Sequence, residues 1–128
     1  MARAAAVLLG LTFALTGSAL RAQPGARGTL FIVGGGTQPP ALVEEFVRRA
    51  GGPGQARIAV FAMASASGEQ SGSAKAEDLR KLGAQARNHW ITREQADMDS
   101  VVRLLDSVTG IWFGGGDQNR LTKVLLGT

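Results

Sequence analysis

The chain has no cysteine and only one histidine among its 128 residues. Without cysteine it can form no disulfide scaffold, no thiolate metal site and no cysteine nucleophile. A single histidine cannot build a histidine-rich metal cluster within the chain. Any chemistry performed here must therefore use other side chains or the backbone.

The sequence also lacks a strong excess of one charge. It contains 14 Lys and Arg against 10 Asp and Glu, and two of the basic residues, Arg3 and Arg21, lie in a segment that we expect to be removed. The remaining balance of twelve against ten is too even to indicate nucleic acid binding. With 45% hydrophobic residues, the length and composition favour one modest globular domain over two domains or a disordered tail.

Residues 1–22 have the composition of a secretory signal peptide. A basic start at Arg3 precedes an apolar run over residues 4–15, and small residues follow. The apolar run is shorter than the ~20 residues that span a bilayer, which disfavours the alternative of an N-terminal membrane anchor. The sequence therefore predicts a secreted or periplasmic protein, cleaved after Ala22 or Ala19, that has no membrane association once the leader is removed.

Residues 23–28 form a predicted linker, and residues 29–128 alternate strand-like apolar runs with helical patterns. The predicted strands cover residues 29–33, 57–63, 84–91 and 109–113. Strands that alternate with helices through short connections predict a doubly wound α/β fold, with a mostly parallel sheet and helices on both faces. Ligands of such sheets bind at the carboxyl ends of the strands. Because no strand follows the last helical pattern, we expect the sequence to be the N-terminal part of a longer domain.

The spacing of apolar residues predicts four helices. The first begins at the prolines of residues 39–40 and ends at residues 51–52, the second covers residues 73–82, and the fourth covers residues 119–126. The third is expected to begin with a capping box formed by Thr92 and Gln95. It should continue to about residue 108 along the apolar stripe Met98, Val101, Val102, Leu105 and Val108.

Two glycine triplets, at residues 34–36 and 114–116, each follow a predicted strand. Neither makes a nucleotide motif, because Pro39 stands where the dinucleotide fingerprint needs its third glycine and no Gly-Lys-Ser/Thr follows either triplet. The second triplet leads into Asp117, Gln118 and a helix, so its backbone amides could hold an oxyanion or a carboxylate while Gln118 binds a substrate. Alternatively, Asp117 only caps the helix and Gln118 is solvated. The residues leave both interpretations open.

No serine stands in the Gly-x-Ser-x-Gly elbow that a hydrolase of this architecture needs. His89 lies in a strand-like run, where a lone histidine is more often a packed or surface residue than a catalytic base. The residues alone therefore indicate an exported α/β domain with one suggestive glycine-rich edge and no catalytic group of its own.

Several stretches of the chain resemble the cyanophycinase and dipeptidase E group of serine peptidases, and most closely its cyanophycinase branch. They are residues 28–36 (GTLFIVGGG), Phe46 with 50–52 (AGG), 58–65 (IAVFAMAS) and 109–121 (TGIWFGGGDQNRL). The last is the most specific, because dipeptidase E-like members tend to carry Gly-Gly-Asn where this chain has Gly-Gly-Asp-Gln at residues 115–118. The resemblance implies the class I glutamine amidotransferase-like fold, a flavodoxin-like doubly wound sheet of which this chain would be the N-terminal part.

The resemblance also implies a serine peptidase that hydrolyses cyanophycin or β-aspartyl peptides without a metal or organic cofactor. Its nucleophile would lie in a Gly-Thr-Ser-Ala-Gly elbow after Thr128, followed by a histidine and an acidic residue, so no catalytic residue is expected within this chain and the chain alone should be inactive. Gly115 and Gly116 would form the backbone lining opposite the nucleophile. Asp117 and Gln118 would contact the aspartyl part of the substrate.

A peptide substrate is the partner that this resemblance implies, with no nucleic acid and with a homodimer left open. The alternative is an exported, non-catalytic α/β binding domain of the same fold. The sequence that follows Thr128 separates the two hypotheses, because only the peptidase needs the serine elbow there.

Overall fold

The computed structural model describes residues 28–34 and 36–128. The predicted signal peptide, residues 1–22, and all but the last residue of the predicted linker lie outside the described residues. The strands are β1 Arg57–Phe61, β2 Gln85–Asn88 and β3 Gly110–Phe113. The helices are α1 Pro40–Arg49, α2 Gly68–Lys81, α3 Arg93–Ala96, α4 Asp99–Val102, the 3₁₀ helix Arg103–Ser107 and α5 Gln118–Leu125.

The three strands form one parallel sheet in the order β2-β1-β3. Ile58 and Val60 of β1 belong to a core that includes side chains of α1 and α2. Ala59 and Phe61 alternate with them and pack against α5 on the other face. The predicted parallel α/β architecture, with helices on both faces of the sheet, is therefore confirmed for this part of the chain.

The face that α1 and α2 cover holds the larger core. Its buried side chains are Val43, Val47, Ala50, Ala56, Ile58, Val60, Ala76, Leu79, Ala84 and Ala86. Leu79 and Val60 are completely buried, and burial of an aliphatic side chain of this size contributes about 1.5–3 kcal/mol. The apolar spacing that predicts the first helix is thus confirmed, because Val43, Val47 and Ala50 are buried in this core.

Helix α1 begins as its sequence predicts, with Pro40 in the first turn and basic residues in the last. Of the ion pairs that its i,i+4 spacing allows, Glu45 and Arg49 form one, with 2.7 Å between Oε1 and Nε. Arg48 also bonds to Glu45 rather than to Glu44. Hydrogen bonds from Arg48 and then Arg49 lower the pKa of Glu45 to about 2. Because these side chains lie at the surface, the two ion pairs contribute little to the stability of the fold.

The prediction of a buried strand at residues 29–33 is wrong. This segment pairs with no strand of the described sheet, and Leu30 and Ile32 are 82% and 85% exposed. The ring of Phe31 packs edge-on against that of Phe46, with ring centroids 5.8 Å apart. The β-branched and aromatic residues favour an extended backbone, but a strand also needs a neighbouring strand to bond to.

The prediction of one long helix after Thr92 is also wrong, although its start is confirmed. Thr92 and Gln95 form the capping box, with the Thr92 amide donating to Gln95 Oε1 over 2.9 Å. Met98 then adopts an extended backbone (ψ 132°), which ends the first short helix and separates it from the next. Met98, Val102 and Leu105 of the predicted stripe are 43–52% exposed. Apolar spacing without a face to pack on does not sustain a long helix.

Helix α2 begins at Gly68, five residues earlier than predicted. A Cβ atom at Gly68 would lie 2.1 Å from the carbonyl oxygen of Ala62, and one at Gly72 would lie 2.1 Å from Asn88 Oδ1. These glycines therefore allow the helix to approach the sheet closely. Although glycine disfavours a helix, the helix already begins at Gly68. Among the described residues, no helix combines the length and apolar character needed to cross a bilayer.

Candidate functional site

The carboxyl ends of β1 and β3 lie side by side, because the two strands are parallel neighbours. After β1 the chain enters α2 on one face of the sheet, and after β3 it enters α5 on the other. The two connections therefore diverge from adjacent strand ends. In open parallel sheets, this reversal creates the crevice where ligands bind.

Two hydrogen bonds join the connections at this edge. The Gly114 amide donates to the Phe61 carbonyl over 2.8 Å, and the Asp117 amide donates to the Ala64 carbonyl over 2.9 Å. The turn of residues 114–117 is thereby fixed against the loop that follows β1. Both bonds are made by the backbone, so the contact depends on chain geometry more than on side-chain identity.

Gly116 is required at this contact by its backbone conformation and by the space around it. Its φ is 142°, and a Cβ atom here would lie 2.3 Å from the Ala64 carbonyl oxygen. Gly115 is different, because a Cβ atom there would meet nothing within 4 Å. The backbone amides of Gly115 and Gly116 donate to no acceptor in the part of the chain that the structure describes. Gly115 and Gly116 therefore lie at the carboxyl edge of the sheet, and their role as a backbone lining stays a prediction.

Asp117 and Gln118 begin helix α5. The Asp117 carboxylate accepts a hydrogen bond from the Asn119 amide over 2.9 Å, which makes Asp117 the N-cap of the helix. The negative charge also suits the helix N-terminus. Gln118 is exposed, and its side chain bonds to no other described residue. Asp117 thus caps the helix, as one of the two interpretations predicts. The side-chain amide of Gln118 stays available to a ligand.

Two serines of the loop after β1 complete this edge. The Ser67 amide donates to Ser65 Oγ over 3.1 Å, and the two hydroxyl oxygens are 3.3 Å apart. The sequence pattern predicts no role for either residue. The short Ala-Ser pattern directly after a buried strand was the available signal, but small residues there are common in turns.

A shallow depression of about 470 Å³ opens next to these serines, where α2 begins. Trp90, which sequence reasoning did not single out, forms part of its wall and is 44% exposed. Ser67, Gln70 and Ser73 supply polar groups around it. The depression lies along the start of α2, and none of residues 114–118 lines it.

His89 does not belong to this arrangement. Its ring lies against that of Phe61, with centroids 5.7 Å apart. Burial, followed by the nearby positive charge of Arg87, lowers the pKa of His89 below its ordinary value. The imidazole is thus a packed, mostly neutral group at pH 7, which agrees with the interpretation from its sequence position.

The chemistry available at this edge is anion stabilisation by backbone amides, together with hydrogen bonding by Gln118 and two serine hydroxyls. Within residues 28–34 and 36–128, no group of histidine, aspartate and glutamate side chains is arranged to hold a metal ion. No protein-family model matches this chain, and no solved structure matches it.

Proposed function

We propose that this chain is the N-terminal part of an exported cyanophycinase-like serine peptidase that hydrolyses cyanophycin or β-aspartyl peptides. In this proposal the sheet continues into a doubly wound, flavodoxin-like fold of the class I glutamine amidotransferase type. One observation carries the most weight: the turn of residues 114–117 is bonded to the loop after β1 and presents available amides at the carboxyl edge of the sheet. A nucleophile on a following strand would reach the same edge.

The proposed role of the turn is to stabilise the oxyanion. A serine supplied by the polypeptide after Thr128 attacks the scissile carbonyl while a histidine from the same region takes its proton, and the amides of Gly115 and Gly116 donate to the carbonyl oxygen as it becomes negative. The C–N bond then breaks, and the histidine returns the proton to the leaving amine. No metal or organic cofactor is needed for this step. Electrostatic stabilisation of this kind is usually the largest single contribution to acyl-transfer catalysis.

Gln118 and Asp117 would contact the substrate peptide. Gln118 has an amide that can both donate and accept, which suits a peptide group. Asp117 uses one carboxylate oxygen for the Asn119 amide, and the other can accept from a substrate N–H. Of the two, Gln118 is the more specific candidate because the cap does not engage it.

The capping bond of Asp117 favours the second hypothesis, an exported non-catalytic α/β binding domain. This bond explains the presence of the aspartate through helix stability alone. Such a domain would need glycine at residue 116 because of its positive φ and its close approach to the Ala64 carbonyl. It would lack a nucleophile.

The coding sequence after Thr128 tests the two hypotheses first. The peptidase requires a Gly-Thr-Ser-Ala-Gly elbow on the next strand, and a different residue at the serine position leaves only the binding domain. If the elbow is present, the extended protein should release β-aspartyl-arginine from cyanophycin without added metal.

Gln118→Ala then tests the assignment of the site. We expect kcat/KM to fall by an amount equivalent to about 1–3 kcal/mol, because the substrate loses a hydrogen bond, while Tm stays close to wild type. Gln55→Ala is the matched control, since Gln55 is an exposed glutamine at the opposite, amino edge of the sheet. A wild-type kcat/KM for Gln118→Ala would remove Gln118 from the site.

Export is tested independently of catalysis. Mass spectrometry of the exported protein should find a mature N-terminus at Gln23 or Leu20, as the leader composition predicts. An exported protein that retains Met1 would contradict the proposed cleavage.

A further inference from the structure

A second concave surface lies along β2, away from the glycine turn. It has a volume of about 570 Å³. We name it the arginine groove after the three arginines among its lining residues. The side chains relevant to its chemistry are Arg57, Arg80, Arg87, His89, Leu104 and Val108. No aspartate or glutamate lines it, so it is positively charged although the chain as a whole is nearly balanced.

Arg57 and Arg87 project from the same face of the sheet. Arg57 is in register with Gln85, and Ala59 is in register with Arg87. Because in-register residues of parallel strands point to the same face, Arg57 and Arg87 are diagonal neighbours across the β1–β2 pair, with Cα atoms about 8 Å apart by strand geometry. This spacing would allow them to hold two separate anionic groups.

These two guanidinium groups have no carboxylate partner. All six ion pairs in the described part of the chain involve other basic residues. Arg57 donates through Nε to the Ser107 carbonyl, which fixes its direction and leaves its terminal nitrogens available. Arg87 is exposed and makes no side-chain hydrogen bond with a described residue. Arg80 differs, because it pairs with Glu77 at 2.7 Å.

The groove also borders an unpaired sheet edge. Strand β2 is the outer strand of the described sheet, and the register with β1 directs the backbone groups of Ala86 and Asn88 outward. Arg80 Nη1 donates to the Ala86 carbonyl over 2.8 Å, which covers part of this edge. Leu104 and Val108 provide an apolar wall on the other side. A flat, elongated ligand with both apolar and acidic groups fits these features.

We propose that the arginine groove binds an extended acidic peptide segment, with carboxylates at alternate residues contacting Arg57 and Arg87. In an extended chain, residues i and i+2 are about 6.6–6.8 Å apart, a spacing that the long side chains of two diagonal neighbours on one sheet face can span. The unpaired edge of β2 offers main-chain hydrogen bonds, and Val108, which lies on the same face of the sheet as Arg57 and Arg87, provides an apolar contact beside the carboxylates. The intervening side chains of the peptide would point to the opposite face. This docking function does not depend on the proposed peptidase activity.

His89 supplies a spectroscopic reporter inside the groove, since it is the only histidine of the chain. The positive charge of Arg87 contributes to lowering its pKa. A carboxylate bound to Arg87 would offset that charge, so the pKa of His89 should rise when the site is occupied.

The test titrates the purified protein with a six-residue peptide of alternating aspartate and valine, at low ionic strength to limit screening. The His89 imidazole signals are followed by NMR. We expect saturable binding and an increase in the His89 pKa, and no response to the same peptide with asparagine for aspartate. Arg87→Gln should weaken binding at least about fivefold, because one charge-assisted hydrogen bond is lost.

Arg103→Gln is the matched control, because Arg103 is an exposed arginine outside the groove. It should bind the peptide like wild type, and both variants should keep the wild-type melting transition. Equal weakening by Arg103→Gln would overturn the proposal, since attraction would then come from overall charge. Tighter binding of inorganic polyphosphate with the same His89 response, or the absence of any peptide response, would also overturn it.

Discussion

The two faces of the sheet differ in how completely they are covered. On the face of α1 and α2, ten apolar residues form one buried core. In the part of the chain that the structure describes, the buried cluster on the opposite face consists of Ala59, Phe61 and Met63, and Phe113 of β3 is 53% exposed. Both faces are apolar in sequence. An apolar sequence pattern therefore leads to burial only where a continuous helix covers it.

The helices explain the difference. Helix α2 runs unbroken for 14 residues and approaches the sheet through Gly72. The chain that crosses the other face, residues 93–107, is divided into two four-residue helices and a 3₁₀ helix. Short helices bury little surface and receive little support from their own hydrogen bonds. The second face therefore depends mainly on α5 for its cover.

Substituting one leucine near each face should give the largest contrast. Leu79→Ala removes a fully buried side chain of the α2 face, and we expect it to lower the free energy of unfolding by about 2–5 kcal/mol. Leu105→Ala makes the same chemical change at a side chain that is 43% exposed, and should cost less than about 1 kcal/mol. Urea unfolding of both variants measures the two losses. Equal losses would show that the second face is as well packed as the first.

The glycine turn between the two faces gives the next contrast. Gly116→Ala places a methyl group against the Ala64 carbonyl in a backbone conformation that favours glycine, so it should destabilise the fold by about 1–3 kcal/mol. Gly115→Ala adds the same methyl group in open space, and should stay within about 0.5 kcal/mol of wild type. Thermal and urea unfolding check both values. A neutral Gly116→Ala would mean that the turn does not hold its contact with the β1 loop.

The cap of α5 tests how strongly the second face depends on this helix. Asp117→Ala removes the acceptor of the Asn119 amide and should cost about 1 kcal/mol of unfolding free energy. Asp117→Ser keeps an N-cap acceptor and should recover most of that loss. If both variants were as stable as wild type in denaturant titrations, the cap would contribute nothing to the second face.

The smallest expected effect is the dependence of stability on pH through His89. In the folded protein the pKa of His89 is lowered from 6.5. Between the folded and unfolded pKa values, the unfolded chain therefore binds more protons than the folded one. The contribution of neutral His89 to the free energy of unfolding is fully present above the unfolded pKa and is lost as the pH falls through the folded pKa. Urea midpoints measured between pH 7 and pH 5 should therefore fall less in His89→Gln than in wild type. Identical pH profiles would contradict the lowered pKa of the half-buried His89.

Local sequence patterns predicted several elements well. Pro40 and the apolar stripe located α1, the Thr92–Gln95 capping box located the start of α3, and Asp117 located the start of α5. Each of these signals acts within a few residues of the element it defines. The candidate site at residues 115–118 was recognisable for the same reason, since its glycines, acid and amide are consecutive.

Local sequence patterns predicted the starts of α1, α3 and α5 and the parallel arrangement of the strands, because capping and connection length are local properties. Only the tertiary structure decided that residues 29–33 remain unpaired, that the helix after Thr92 is interrupted, and that Arg57 and Arg87 share one groove. These outcomes depend on which surfaces meet across distant parts of the chain. A segment's own residues specify its preferred conformation, while burial and pairing require a partner that the segment does not encode.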